Sequence, residues 1–174
     1  LPYLKYITQA GGTLDRELCI DFAKICSKKN IRFFIMYGQA EATARISYLP
    51  CEKVLHKPTS IGIPIPDGKI WLEDENGIVV DGAFLRGELV YKGENVSLGY
   101  AKNRFDLQKG DENFGTLYTG DLAERDGENF YYIIGRKNRY LKMFGNRINL
   151  DEIEQLINSE VNECACSGID DKIK

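Results

Sequence analysis

The most constraining feature of the sequence is a strand, a helix and a second strand that follow one another in residues 3–36. Residues 3–10 favour a β-strand that ends at Gly11 and Gly12. Residues 31–36 are rich in apolar and aromatic side chains, as is typical of a strand covered on both faces. This order predicts two neighbouring parallel strands in an α/β layer.

The connecting helix is predicted over residues 15–29. Acidic side chains occupy its first turn and lysines its last, which suits the helix dipole, and Asn30 follows as a stop. Four of its side chains, those of Leu18, Phe22, Ile25 and Cys26, are predicted to fall on one apolar stripe.

Residues 50–136 alternate short apolar runs with turn signals. Runs of strand length occur at residues 69–72, 87–91 and 130–134. This texture predicts antiparallel β-structure, either a barrel-like subdomain or a pair of short sheets. The polar residues 103–113 predict a surface loop or a short helix.

The pattern changes again after Arg136. We expect a strand over residues 140–144, a turn at Gly145, and a last strand over residues 163–169. A helix is predicted between the strands, with Asn149 as its cap and three residues on its apolar face, Ile153, Leu156 and Ile157.

The predicted fold class is therefore α/β, in three parts. Residues 1–49 are the C-terminal part of an α/β nucleotide-binding subdomain, and residues 50–136 are a β-rich subdomain. Residues 137–174 are a hinge and the start of an incomplete α+β domain, because two strands and one helix bury little apolar surface on their own. Since Leu1 is not an initiator methionine, we expect a piece of a longer protein.

Composition excludes some functions. The net charge of -3 gives no support for nucleic-acid binding, and no apolar run approaches the roughly 20 residues of a membrane span. Five irregularly spaced cysteines favour reduced thiols in a cytoplasmic protein. Cys164 and Cys166 could form a metal pair, but buried structural thiols are the favoured interpretation, since no second pair accompanies them.

Residues 118–122, YTGDL, are the first candidate site. An aspartate at the tip of a turn could accept hydrogen bonds from the two hydroxyls of a ribose, so Asp121 is a candidate. Arg136 could reach the same sugar or a phosphate. The alternative is an ordinary hairpin turn with a surface arginine, and from Asp121 alone we favour that alternative.

Residues 37–41, YGQAE, are the second candidate, because ligands of open α/β sheets bind beyond the carboxyl ends of the strands. Tyr37 offers a flat face for a purine, Gly38 permits close approach, and Glu41 suits Mg²⁺ held together with phosphates. Gly11 and Gly12 could form the other wall of the purine slot. The alternatives are a core tyrosine, a solvated glutamate and a simple strand-to-helix turn.

In this order, the pieces resemble the adenylate-forming (AMP-binding) ligase superfamily, which includes acyl-CoA synthetases. The resemblance covers nearly the whole chain, and its ordered set of motifs is highly specific. The matching motifs are Gly11-Gly12, residues 37–41, Gly87-Glu88-Leu89 with Leu98-Gly99-Tyr100, Thr119-Gly120-Asp121-Leu122, Gly135-Arg136, Lys142, Gly145 and Arg147-Ile148.

The resemblance implies roles for individual residues. Tyr37 would stack on adenine, Glu41 would bind Mg²⁺, and Asp121 would hold the ribose hydroxyls. Arg136 would support the ribose or a phosphate, and Gly145 would lie near the tunnel for the acceptor thiol.

The implied reaction joins a small carboxylate to AMP from ATP and then to the thiol of coenzyme A or of a carrier-protein phosphopantetheine. Two residues depart from the common pattern. Ala40 replaces a threonine whose hydroxyl would reach the phosphate or metal, and Asn138 stands where the hinge residue is often aspartate.

The resemblance places a phosphate loop before Leu1 and a catalytic lysine after Lys174. We therefore expect the 174-residue chain alone to form no adenylate, and its uncovered apolar faces to favour self-association. The rival hypothesis is a non-catalytic binding or interaction module with a degenerate nucleotide site, which the alanine at position 40 favours.

Overall fold

The computed structural model describes residues 3–143, 146–158, 164–169 and 172–173. It contains two α-helices, α1 (Arg16–Lys28) and α2 (Leu150–Asn158), and three short 3-10 helices, Ala40–Ala42, Asp106–Gln108 and Lys137–Arg139. The strands are β1 (Tyr6–Gln9), β2 (Arg32–Tyr37), β3 (Ser47–Leu49), β4 (Ile63–Pro64), β5 (Lys69–Glu73), β6 (Arg86–Lys92), β7 (Thr116–Arg125), β8 (Tyr131–Arg136), β9 (Tyr140–Met143), β10 (Asn146–Asn149), β11 (Gly168–Ile169) and β12 (Lys172–Ile173).

The first sheet has the order β1-β2-β3-β4, and β1 runs parallel to β2, as predicted. Helix α1 connects these two strands. Its first turn is capped by Asp15, whose carboxylate accepts the backbone N–H groups of Glu17 and Leu18, both at 2.9 Å. After the helix, Asn30 adopts a left-handed conformation (φ 56°), so the predicted stop is where the chain turns into β2.

The apolar stripe predicted for α1 lies mostly on an exposed face of the described structure. Cys26 is buried, but Leu18, Phe22 and Ile25 are between 42% and 51% exposed. The face that packs on the sheet carries smaller side chains, those of Cys19, Ala23 and Cys26. Small residues let the helix axis approach the strands closely, and they leave the larger apolar residues on the outside.

The second sheet is antiparallel, with the order β5-β6-β7-β8, and it contains the three strands predicted between residues 69 and 134. The two four-stranded sheets meet through a bridge between Gly62 and Tyr131. A Cβ atom at Gly62 would lie 1.9 Å from the carbonyl oxygen of Tyr48, so only glycine fits this crossing. Among the described residues, the strands form separate sheets rather than a closed barrel.

The C-terminal part forms a hairpin of β9 and β10 followed by α2. Asn149 caps α2 as predicted, because its side-chain oxygen accepts the N–H of Asp151 at 2.9 Å. Ile153 packs on a small core of Leu141, Leu150 and Cys166. The other two predicted core residues of the helix, Leu156 and Ile157, are exposed. The predicted strand over residues 163–169 is limited, in the described part, to β11 at Gly168–Ile169, and Cys164 and Cys166 lie before it.

All five cysteines are free thiols, as expected. No helix in the described ranges is long and apolar enough to cross a membrane.

An ion-pair cluster, Lys57 with Asp126, fastens the loop after β3 to the β7–β8 turn. The Nζ atom of Lys57 lies 2.5 Å from the Asp126 carboxylate and 4.8 Å from the centroid of the Phe130 ring, and both charged side chains are 12% exposed. The other carboxylate oxygen of Asp126 accepts the N–H groups of Glu128 and Phe130. Burial raises the pKa of Asp126, but the hydrogen bonds from Lys57 and the backbone outweigh it, so the pKa lies below its ordinary value.

We predict that Asp126→Ala lowers the free energy of unfolding by about 2–3 kcal/mol at pH 7, because Lys57 loses a buried partner. Asp74→Ala is the control. The Asp74 carboxylate accepts the same pair of turn N–H groups, from residues two and four positions ahead. Its loss should lower the free energy of unfolding less, because no shielded ion pair is broken. Urea unfolding followed by the fluorescence of Trp71, the single tryptophan, measures both variants.

Because the pKa of Asp126 is lowered, its contribution to the free energy of unfolding depends on pH. Its stabilising contribution is present above the unfolded-state pKa of about 3.8 and is lost as the pH falls through the lower folded-state value. The difference between wild type and Asp126→Ala should therefore shrink below pH 3.8. A difference that grew on acidification would contradict the assignment.

Candidate functional site

The carboxyl end of β2 delivers the first side chains of the site. Tyr37 is the last residue of the strand, and Gly38 makes the sharp turn into the 3-10 helix Ala40–Ala42. A Cβ atom at Gly38 would lie 2.4 Å from the carbonyl oxygen of Ala44, so the chain's own backbone requires glycine there. The glycine that was interpreted as room for a ligand is thus already needed by the fold.

The Thr-Gly-Asp stretch is not a turn between strands, which corrects the sequence-based interpretation. It lies inside β7 and forms a β-bulge against β6. Glu88 pairs with Leu122 and Val90 pairs with Tyr118, so three residues of β7 oppose the single residue Leu89. At the centre of the bulge, Gly120 has a φ of 71°, a conformation that glycine adopts without strain.

Side chains supply the hydrogen bonds that the bulge removes from the ladder. The hydroxyl of Thr119 donates to the carbonyl of Leu89 at 2.7 Å and accepts the N–H of Asp121 at 3.1 Å. The N–H of Gly120 donates to the Glu88 carboxylate at 3.2 Å. Thr119 and Asp121 are both nearly fully buried, so these bonds satisfy groups that water reaches poorly.

The Asp121 carboxylate is the centre of the candidate site. One oxygen accepts the hydroxyl of Tyr37 at 2.5 Å and the amide of Gln39 at 3.1 Å. The other oxygen pairs with Nε of Arg136 at 2.9 Å. The Asp121 side chain is 4% exposed and that of Arg136 is 60% exposed, so the arginine forms the outer wall of the site. The structure thus brings together three of the predicted site residues.

Tyr37 serves this centre as a hydrogen-bond donor. Burial raises the pKa of its phenol well above the ordinary value, and the neighbouring charge of Asp121 raises it further. The phenol therefore keeps its proton over the physiological range. The ring is half-buried and packs against a core cluster that includes Leu72 and Leu89 of the second sheet.

Glu41 lies on the adjacent loop and is a hydrogen-bond acceptor for the hydroxyl of Tyr100. This bond lowers the pKa of Glu41, with a smaller contribution from the charge of Arg136, so the carboxylate is ready to bind a cation. Its backbone is fixed by the N–H of Ser97, which donates to the Glu41 carbonyl at 2.7 Å.

The surroundings of Glu41 fit magnesium in only one way. Within residues 3–143, 146–158, 164–169 and 172–173, no group of three or more acidic, histidine or cysteine side chains could hold a metal ion. A magnesium ion at Glu41 would therefore need most of its oxygen ligands from water and from the phosphates of a nucleotide, as is common for this ion.

The glycine pair after β1 lies at the same edge of the sheet as Tyr37, since β1 and β2 are parallel. Gly11 has a φ of 91°, and a Cβ atom on Gly11 or Gly12 would meet no atom within 4 Å. The backbone there is open to a ligand. Gly145, the residue expected near the acceptor thiol, lies outside the described residues.

Sequence reasoning missed three side chains that complete the site: Gln39, Glu88 and Tyr100. Each lies within a motif that the sequence analysis quoted, but none received a role. Gln39 is the most telling, because its amide also donates to the carbonyl of Thr119 at 2.9 Å and so connects β2 with the bulge. The sequence signal that could have identified Gln39 is its position two residues after Tyr37, just beyond the end of the same strand.

Comparisons with known proteins point in one direction. A family model described as "AMP-binding enzyme" matches residues 1–101. The 2-succinylbenzoate–CoA ligase of Bacillus cereus (strain Q1) is 34% identical over 170 residues, which are 97% of this chain and 34% of the relative.

Solved structures agree. O-succinylbenzoate coenzyme A synthetase from Bacillus subtilis in complex with AMP is similar with a TM-score of 0.75 and 29% identity, over 97% of this chain and 34% of that chain. The same enzyme with ATP and magnesium gives a TM-score of 0.74 and 30% identity, with equal coverage. The chain spans about a third of the length of these relatives.

The bulge generates a stability prediction. Thr119→Val keeps the volume but removes the hydroxyl, which leaves the Leu89 carbonyl and the Asp121 N–H unsatisfied, so we expect a loss of about 2–4 kcal/mol. Thr119→Ser keeps the hydroxyl and removes one methyl group, so its loss should be about 1 kcal/mol. Urea unfolding measures both. Equal losses for the two variants would show that the hydroxyl does not support the bulge.

Proposed function

Because this chain belongs to the family of AMP-binding enzymes, as its ordered motifs predicted, we propose that it is part of an ATP-dependent carboxylate-activating ligase. The enzyme would form an acyl-adenylate and transfer the acyl group to a thiol. One observation carries the proposal: Tyr37, Asp121 and Arg136, which are far apart in sequence, meet at a single buried carboxylate beside the end of a parallel strand.

Asp121 is the proposed ribose ligand. A carboxylate has about four acceptor positions, and Tyr37, Gln39 and Arg136 use three of them. Arg136 is the exposed partner, so a ribose hydroxyl can take its place with little loss of packing. Tyr37 and Gln39 would then keep the carboxylate oriented towards the sugar.

Arg136 and Glu41 are proposed to serve the phosphates. Once released from Asp121, the Arg136 guanidinium carries a fixed positive charge suited to a phosphate oxygen. The Glu41 carboxylate would hold magnesium, which supplies charge neutralisation to the phosphates when bound. Gly11, Gly12 and the ring of Tyr37 would flank the adenine.

The acceptor and the substrate are proposed from the relatives. They are named as coenzyme A ligases, which favours coenzyme A over a carrier protein as the thiol acceptor. Their named substrate is an aromatic carboxylic acid, so aromatic carboxylates are the first compounds to test. We also propose that residues 137–139 are the hinge between the two domains, and that Gly145 lies near the thiol.

Ala40 favours a second candidate function, a non-catalytic module. It is exposed at the start of the 3-10 helix, where its methyl group offers no hydroxyl to a phosphate. In that case the nucleotide site would bind without catalysis, and the protein containing this chain would show no carboxylate-dependent reaction.

The ribose role predicts the effect of Asp121→Ala in the full-length protein. We expect carboxylate-dependent ATP–pyrophosphate exchange to fall at least about tenfold, since a charged hydrogen bond is lost. Asp111→Ala, which removes a surface turn carboxylate bonded to the N–H groups of Asn113 and Phe114, should leave the rate unchanged. An unchanged rate for Asp121→Ala would refute the ribose role. Absence of exchange in the wild type with every acid tested would favour the non-catalytic module.

The 174-residue chain alone should show no exchange. It spans about a third of its relatives, and the resemblance assigns the phosphate loop and the catalytic lysine to sequence that it does not contain. The exposed apolar face of α1 supports the further expectation that the isolated chain self-associates. Pyrophosphate exchange by the purified chain with any carboxylic acid would overturn the assignment of those groups.

A further inference from the structure

Glu88 is bonded to two different parts of the chain. One carboxylate oxygen accepts the N–H of Gly120 at the centre of the bulge, at 3.2 Å. The other oxygen accepts a hydrogen bond from the ammonium group of Lys137, just after the end of β8, at 2.6 Å. The Glu88 side chain is 12% exposed and the Lys137 side chain is 50% exposed, so the acid is shielded from water while the ammonium group is partly solvated.

The neighbouring residue strengthens this arrangement. Arg136 and Lys137 are consecutive, and each binds an acid on the second sheet: Arg136 binds Asp121 and Lys137 binds Glu88. Glu88 accepts the N–H of Gly120, and Asp121 is the residue that follows Gly120. The end of β8 is therefore held at two points, one of them the carboxylate at the centre of the site.

Arg139, the next basic residue after Lys137, is bound to the C-terminal part of the chain. Arg139 pairs with Asp151 of α2 at 2.7 Å and donates to the carbonyl of Cys166 at 2.8 Å. A single residue, Asn138, separates the side chain held by the second sheet from the side chain held by the C-terminal part. The short segment Lys137–Arg139 is therefore bonded to the second sheet at one end and to the C-terminal part at the other.

We propose that Glu88 is a positioning residue that couples the Thr-Gly-Asp bulge to the segment Lys137–Arg139. Through Lys137 it holds Arg136 over Asp121, and through Gly120 it fixes the bulge that presents Asp121. The orientation of the C-terminal part and the geometry of the nucleotide carboxylate are therefore linked. The inference rests on the proposed function only in naming residues 137–139 a hinge.

A cleft of about 380 Å³ beside the pair supports this coupling. It is lined by Glu88 and Lys137 together with Gly87, Leu122, Ile134 and Tyr140. Glu88 and Lys137 thus both line an open cleft between β6 and the segment after β8, and the ion pair is a direct bond between the two. Loss of one partner should loosen both ends.

The test is amide hydrogen exchange in the full-length protein without nucleotide. Lys137→Met touches no atom of the bulge, yet it should raise exchange in the peptide over residues 117–122 by about threefold, as expected for loss of a partly shielded ion pair. Lys137→Arg keeps the charge and should restore protection. Lys109→Met is the matched control, because Lys109 is 50% exposed like Lys137 and its ion pairs, with Asp106 and Glu112, lie outside the β6–β7 ladder.

A double variant separates coupling from general loosening. Glu88→Gln keeps an acceptor for Gly120 but loses the charge, so Glu88→Gln with Lys137→Met should exchange no faster than Lys137→Met alone. Additive effects, or protection of the bulge unchanged in Lys137→Met, would overturn the proposal. Exchange requires no catalysis, so this outcome is independent of the Asp121→Ala activity test, which alone decides the proposed function.

Discussion

The buried carboxylate of Asp121 is the interaction on which the arrangement of the two sheets depends. It takes hydrogen bonds from Tyr37 and Gln39, at the carboxyl end of β2 in the first sheet, and from Arg136 at the end of the second. A carboxylate that is 4% exposed is costly to bury unless its oxygens are satisfied, so the cost is removed only when both sheets are in place. The fold and the site are stabilised by the same contacts.

That dependence explains why a bulge, rather than a regular strand, carries the acid. A regular ladder alternates side chains between the two faces, and β7 would offer its backbone groups only to its neighbours. The extra residues around Gly120 turn the Asp121 side chain towards Tyr37, while Thr119 and Glu88 satisfy the freed backbone groups. The glycine and the threonine of the motif are therefore needed by the backbone, and the aspartate is left available for a ligand.

The sequence predicted the helices and strands better than the faces by which they pack. The parallel pair β1–β2, the Asn149 cap and the strands of the second sheet follow from local patterns, because those patterns act within a few residues. The packing face of α1 could not be predicted from local patterns. Leu18 and Phe22 are as apolar as a core face requires, and only the close approach of the helix to β2 selects Cys19 and Ala23 instead. The bulge was missed for the same reason: its register is set by pairing with β6, about thirty residues earlier.

The site residues divide along the same line. Tyr37, Asp121 and Arg136 could be proposed from sequence because each has a chemistry suited to a nucleotide, and the structure brings them together. Glu88 is also an acid, but its chemistry alone did not single it out, and its importance comes from its position between a backbone N–H and Lys137. Residues of this second kind transmit geometry rather than bind ligand. Here Glu88 links the geometry around the Asp121 carboxylate to the segment Lys137–Arg139, because it is bonded to both.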